Sequence, residues 1–154
     1  MFTKWIAAAV TAIAVIGFAT VQPAQAASDG YAHHLAIHVD ENDAAKMNLA
    51  LNNAANVVKY YEGQGQKVLV EIITYGPGLN MLRADKSPVK DRMATYTMEY
   101  PDVKFAACNN TMQGMTKKEG KAPMLIESDS ISVVPSGVVQ IMMRQDQGWH
   151  YLRP

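Results

Sequence analysis

One cysteine, Cys108, stands in a chain of 154 residues. An ionised thiol is a strong nucleophile, and its surroundings decide whether it ionises. Cys108 follows the apolar run 103–107 and precedes Asn109, Asn110 and Thr111, a pattern expected where a strand hands over to a helix. The partial positive charge of a helix N-terminus favours thiolate over thiol, and Asn109, Asn110 and Thr111 add short polar side chains able to donate to an anion. The same cysteine also reads as a small hydrophobe that closes a buried strand. A single cysteine excludes an intramolecular disulfide framework and a thiolate-only zinc site.

Other chemistry-bearing residues give weaker patterns. His34 and His38 fall on one face of an extended segment, but four residues apart, on the order of 13 Å. His33 points to the opposite face, so a metal site within one subunit is not expected; a shared site across an oligomer axis stays open. Met112 and Met115 offer soft sulfur for Cu(I) or flexible core filling, and the second is the simpler reading. Glu71 sits in an apolar run, either as a buried base or, more simply, on an edge with its carboxylate in water. Ser136, between Pro135 and Gly137, lacks the frame of a nucleophile elbow and suits a helix N-cap. Gly76-Pro77-Gly78 lacks the lysine and glycine spacing of a phosphate loop. No metal or cofactor is therefore expected.

These residues need elements to position them. Residues 1–26 carry Lys4, an apolar run and the small-x-small exit Ala24-Gln25-Ala26, the anatomy of a secretory signal peptide cleaved after Ala26. The expected location is the periplasm, with no membrane segment after cleavage. The remaining domain, 27–154, has 128 residues with 13 basic and 14 acidic groups, a balance that argues against nucleic-acid binding. Strands are expected at 33–40, 67–75, 103–107, 131–134 and 149–152, the second nearly continuous in apolar and β-branched residues, as in a strand covered on both faces. Helical patterns lie between them: Met47, Leu51, Ala54, Val58 and Tyr61 form one stripe, and shorter pieces fall at 79–84, 87–99, 109–118 and after Ser136. Alternating strands and helices without hairpin signals predict a single α/β domain with a doubly wound, mainly parallel five-stranded sheet. In such a sheet ligands bind at the carboxyl edge. The loops there would carry Asp40-Glu41-Asn42, then Tyr75, Gly76 and Pro77, then Cys108 to Thr111, then Pro135, Ser136 and Gly137.

ALNNAANVVKYY, ITYGPGLNMLRA, FAACNNTMQGM and VVPSGVVQIMMRQDQGWHYLRP, in that order, resemble the DsrE/DsrF-like family, and within it the exported single-domain members. The resemblance implies a flavodoxin-like fold and a homo-oligomer, commonly a trimer or hexamer. It also implies a cysteine after the third strand that carries sulfur as a persulfide, with a donor or acceptor protein as partner. Cys108 matches that position, while Asn109 stands where similar sequences carry Gly. Two functions are expected in consequence. One is a periplasmic sulfur-relay protein, in effect a sulfurtransferase or sulfur carrier. The other is a non-catalytic oligomeric module that binds a small ligand or partner beside a structural cysteine. In both, Tyr75, Gly76, Pro77, Asn109, Asn110, Thr111, Ser136 and Gly137 line the site.

Overall fold

The computed structural model describes residues 29–154; the signal peptide expected at 1–26 lies outside them. The first strand, β1 (His33–Val39), leads into α1 (Ala44–Glu62). Asp43 starts that helix: its carboxylate accepts the Ala45 and Lys46 N–H groups at 2.7 and 3.1 Å, satisfying donors that a helix leaves open. Strand β2 (Val68–Thr74) follows, then a 3-10 helix (Gly76–Leu82) and α2 (Lys90–Glu99). The chain continues through β3 (Val103–Cys108), α3 (Asn109–Glu119), β4 (Ile131–Val134), α4 (Gly137–Asp146) and β5 (His150–Leu152).

All five strands are parallel, in the order β4-β3-β2-β1-β5. From β1 to β4 the chain steps in one direction, and α1, the 3-10 helix, α2 and α3 pack on one face. Their core includes Ile37, Met47, Leu51, Ile72, Leu79, Met93 and Phe105, with Met112 and Met115 against it. From β4 to β5 the chain returns across the sheet, and α4 crosses the other face over Ala36, Ile73 and Ala106. Helices on both faces make the fold doubly wound and flavodoxin-like. The final strand β5 fills the edge place beside β1.

Three expectations change. Glu71 is not an edge residue. It lies on β2, the middle strand, and is buried. Gln140 donates to both of its oxygens at 3.0 Å, and Arg144 donates through Nε and Nη2 at 2.6 and 3.1 Å. Arg144 also stacks on Trp149, 4.4 Å from the ring centre. A buried carboxylate needs such partners, and they lock α4 to the sheet. The short helix expected at 79–84 begins earlier, at Gly76, where φ is +51°. The helix expected from Ser87-Pro88 begins at Lys90; the Ser87 hydroxyl donates to the Met81 carbonyl at 2.7 Å and accepts the Val89 N–H at 3.3 Å, closing the loop ahead of the helix.

Candidate functional site

The crossover helix after β3 packs on one face of the sheet and the helix after β4 on the other, so the winding reverses between these neighbouring strands. In open parallel sheets that reversal opens the ligand crevice. Cys108 sits there, as the last residue of β3 and the N-cap of α3, with Val134 beside it in register. Thr74 pairs with Ala107, so Tyr75 and Cys108 leave the sheet side by side.

Two helices begin at the sulfur. From α3 come the backbone N–H groups of Asn110 and Thr111 and the Thr111 side chain; from α4 comes the N–H of Gly137. Cys108 is only 4% exposed, and burial alone pushes a thiol up. The Thr111 hydroxyl and the three N–H groups outweigh it, and the thiol lies below its ordinary value. The sulfur makes no capping hydrogen bond of standard geometry, so these groups act largely through their partial charge.

The three loops are laced together around this point. The Gly76 N–H donates to the Thr111 hydroxyl oxygen at 2.9 Å, joining the β2 and β3 loops and leaving the hydroxyl hydrogen free for the sulfur. The Asn110 N–H donates to the Pro135 carbonyl at 3.3 Å, joining the β3 and β4 loops. Tyr75 lies against Gly137, where a Cβ would come within 2.9 Å of the Tyr75 ring; only glycine lets the ring reach the start of α4. Ser136 caps α4 as expected, accepting the Val139 N–H at 3.5 Å.

Tyr75, Gly76, Thr111, Ser136 and Gly137 are thus brought together with Cys108. Asn110 contributes its backbone and not its exposed side chain. Asn109 is the first residue of α3 and needs no positive φ, which removes the reason for Gly there. Pro77 is exposed on the rim.

The histidines go to separate places. His33 stacks on Tyr61 and bonds Gln66 at 3.0 Å. His34 bonds Asp29 at 2.9 Å. His38 is buried and bonds the Tyr151 hydroxyl at 2.9 Å through Nδ1. Among the described residues no three His, Cys, Asp or Glu side chains are grouped to hold a metal.

From the sequence, His38 is expected to be a solvated or hydrogen-bonded strand-end histidine rather than a metal ligand. It lies at the end of β1, on the sheet edge that carries Tyr75 and Cys108, and its ring stacks on Tyr75 with centres 4.7 Å apart and planes at 23°. Asp40 lies two residues further on, and Arg153 donates to both of its oxygens at 3.2 and 2.9 Å. Position at the carboxyl edge was the available signal.

No family model matches the chain, and no curated protein matches it. Among solved structures it is similar to MTH1491 from Methanobacterium thermoautotrophicum, described as a protein of unknown function, with a TM-score of 0.65 and 32% sequence identity. The alignment covers 79% of this chain and 99% of that one. With that identity over nearly the whole of its relative, the chain belongs to the same family as MTH1491.

Proposed function

We propose that the protein is a sulfur carrier in which Cys108 holds sulfane sulfur as a persulfide, as in the DsrE/DsrF-like proteins it resembles. The observation that carries this reading is a thiol at the winding reversal, held below its ordinary value between two helix starts. The Cys108 thiolate attacks the outer sulfur of a donor R–S–SH. A new S–S bond forms, the donor's S–S bond breaks, and R–S⁻ leaves with the electron pair, giving Cys108–S–SH. Transfer to an acceptor thiolate is the same exchange in reverse, with no net oxidation. The N–H groups of Asn110, Thr111 and Gly137 stabilise the anionic sulfur before and after each transfer.

The same reading places the work in the periplasm, after cleavage behind Ala26, and in a homo-oligomer, a trimer or hexamer. The outward side of α4 supports the oligomer: Val138, Val139, Met142 and Met143 are each about half exposed on adjacent turns, an apolar stripe suited to a second copy. Light scattering on the purified protein tests the subunit number.

Incubation with polysulfide followed by intact mass measurement tests the chemistry. Wild type should gain whole sulfur atoms, and Cys108→Ser should gain none. Absence of adducts on wild type, or equal adducts on both, would refute sulfur carriage. The burial of Cys108 favours a second reading, a non-catalytic binding module in which the cysteine packs. That reading requires a thiol that resists alkylation in the native state and has an ordinary or raised pKa.

A further inference from the structure

We propose that His38 is a positioning residue of the Cys108 site, acting through the ring of Tyr75 on the Gly137 N–H that faces the sulfur. This rests on the reading of Cys108 as a working thiolate. Three contacts lead from one residue to the other. His38 lies face to face with Tyr75; Tyr75 lies on the bare Cα of Gly137, with no room for even a methyl group between them; and the Gly137 N–H favours the Cys108 thiolate. The sequence of contacts crosses the ends of β1, β2 and β3 without a flexible side chain in it. A shift of the Tyr75 ring must therefore be met by the first turn of α4.

The surroundings of His38 make its position sensitive to charge. Nδ1 is held by the Tyr151 hydroxyl of β5 at 2.9 Å. Nε2 is buried and has no hydrogen-bond partner among the described residues. Asp40 Oδ2 lies 3.7 Å from Nε2, too far to bond a neutral ring and near enough to draw a protonated one. Arg153 competes for the same carboxylate. Glu41, in the loop before α1, and Lys46, in its first turn, line with His38 and Asp40 a cavity of about 10 Å³, room for about one water. Burial holds His38 below the ordinary imidazole range, with Asp40 opposing that shift and Arg153 adding to it. At neutral pH the ring is uncharged and lies flat on Tyr75. On acidification it gains a proton, turns toward Asp40 and releases Tyr75. The Gly137 N–H then loosens and the thiolate loses one of its donors.

Two measurements on the full chain test this. The first follows the Gly137 amide resonance by NMR as pH is lowered. The second is the rate of iodoacetamide alkylation of Cys108 against pH in wild type, His38→Gln and Tyr151→Phe. The expected result is that the Gly137 amide follows the titration of His38 and that His38→Gln abolishes this response. The thiol inflection in His38→Gln should rise by roughly half a pH unit, about threefold in rate below the inflection. Tyr151→Phe, which frees Nδ1 but keeps the ring, should move it in the same direction by less. A Gly137 amide that ignores the His38 titration, or superimposable profiles for wild type and His38→Gln in folded protein, would overturn the proposal. If wild type takes up no sulfur from polysulfide, the carrier reading falls, while the amide response and the inflection still decide the role of His38.

Discussion

Replacing Thr111 with valine isolates one contribution to the thiol. The side chain keeps its branching and nearly its volume but loses the hydroxyl that receives the Gly76 N–H at 2.9 Å and stabilises the Cys108 thiolate. A hydrogen bond to a charged group contributes about 1.5–3 kcal/mol, a ceiling for a hydroxyl that acts on the sulfur without a bond of standard geometry, and one pKa unit corresponds to about 1.4 kcal/mol. The three backbone N–H groups remain, so the lower end applies, and the thiol inflection should rise by about one unit. Alkylation measured below both inflections should slow about tenfold, while the plateau at high pH should match wild type. Urea denaturation should show a loss of about 1–3 kcal/mol, because the Gly76 N–H loses its acceptor. Thr111→Ser, which keeps the hydroxyl, should stay near wild type in both assays. An unmoved inflection in Thr111→Val would refute the account of how this thiol is lowered.

Gly78 has no positive φ, yet a Cβ there would fall 2.3 Å from the Val39 carbonyl oxygen and 2.6 Å from its carbon. Backbone cannot yield as a side chain can, so Gly78→Ala should cost at least about 1–3 kcal/mol in urea denaturation. The Arg83 guanidinium, with Lys86, holds the Glu119 carboxyl down to about 2. Its folded value is depressed, so its stabilisation is present above the ordinary 4.5 and lost as pH falls toward 2. Glu119→Gln should be less stable at neutral pH, with a flatter fall over that window in thermal melts. Cys108 follows the same sign. Its ionisation stabilises the fold above the unfolded thiol value of about 8.5 and loses that effect as pH falls through the lower folded value. The stability of wild type relative to Cys108→Ser should therefore increase with pH and level off above about 8.5.

The elements were legible where the local pattern and the buried face agree. The run 67–75 reads as a doubly covered strand because β2 is the middle of five. Asp43 and Ser136 announce their helices because each caps with its own side chain a donor two or three residues on. Cys108 could be placed at a strand-to-helix junction because the apolar run 103–107 gives way there to Asn109, Asn110 and Thr111. Glu71 was misplaced because its partners Gln140 and Arg144 lie 69 and 73 residues away. No local window contains that pairing, and a carboxylate in an apolar run reads as an edge until the helix that satisfies it is known. Ser87-Pro88 carries a helix-start signal, but the serine hydroxyl bonds within its own loop, to Met81 and Val89, and the helix starts three residues later. His38 was undervalued for a related reason. Its significance comes from a ring stack across two strands and a bond to Tyr151, 113 residues away, and spacing along the chain encodes neither.

The winding reversal explains why this strand end differs from the others. After β1, the Asp43 carboxylate takes the first free donors of α1, so that helix start is already supplied with an anion. After β2, the 3-10 helix has Pro77 near its start, its Gly76 N–H goes to Thr111 and its Gly78 N–H to the Asp40 carbonyl. After β3 the N-cap is a cysteine, so no cap oxygen takes the α3 donors; the Asn110 N–H is shared with the Pro135 carbonyl, and the Thr111 N–H faces the sulfur. Because the next crossover runs to the opposite face, α4 brings a second start to the same place, where Ser136 takes Val139 and leaves the Gly137 N–H facing the sulfur. A sulfur anion at Cys108 thus completes two helix starts at once. A neutral thiol completes neither, and that difference between the two protonation states adds to the effect of the Thr111 hydroxyl in lowering the pKa against burial.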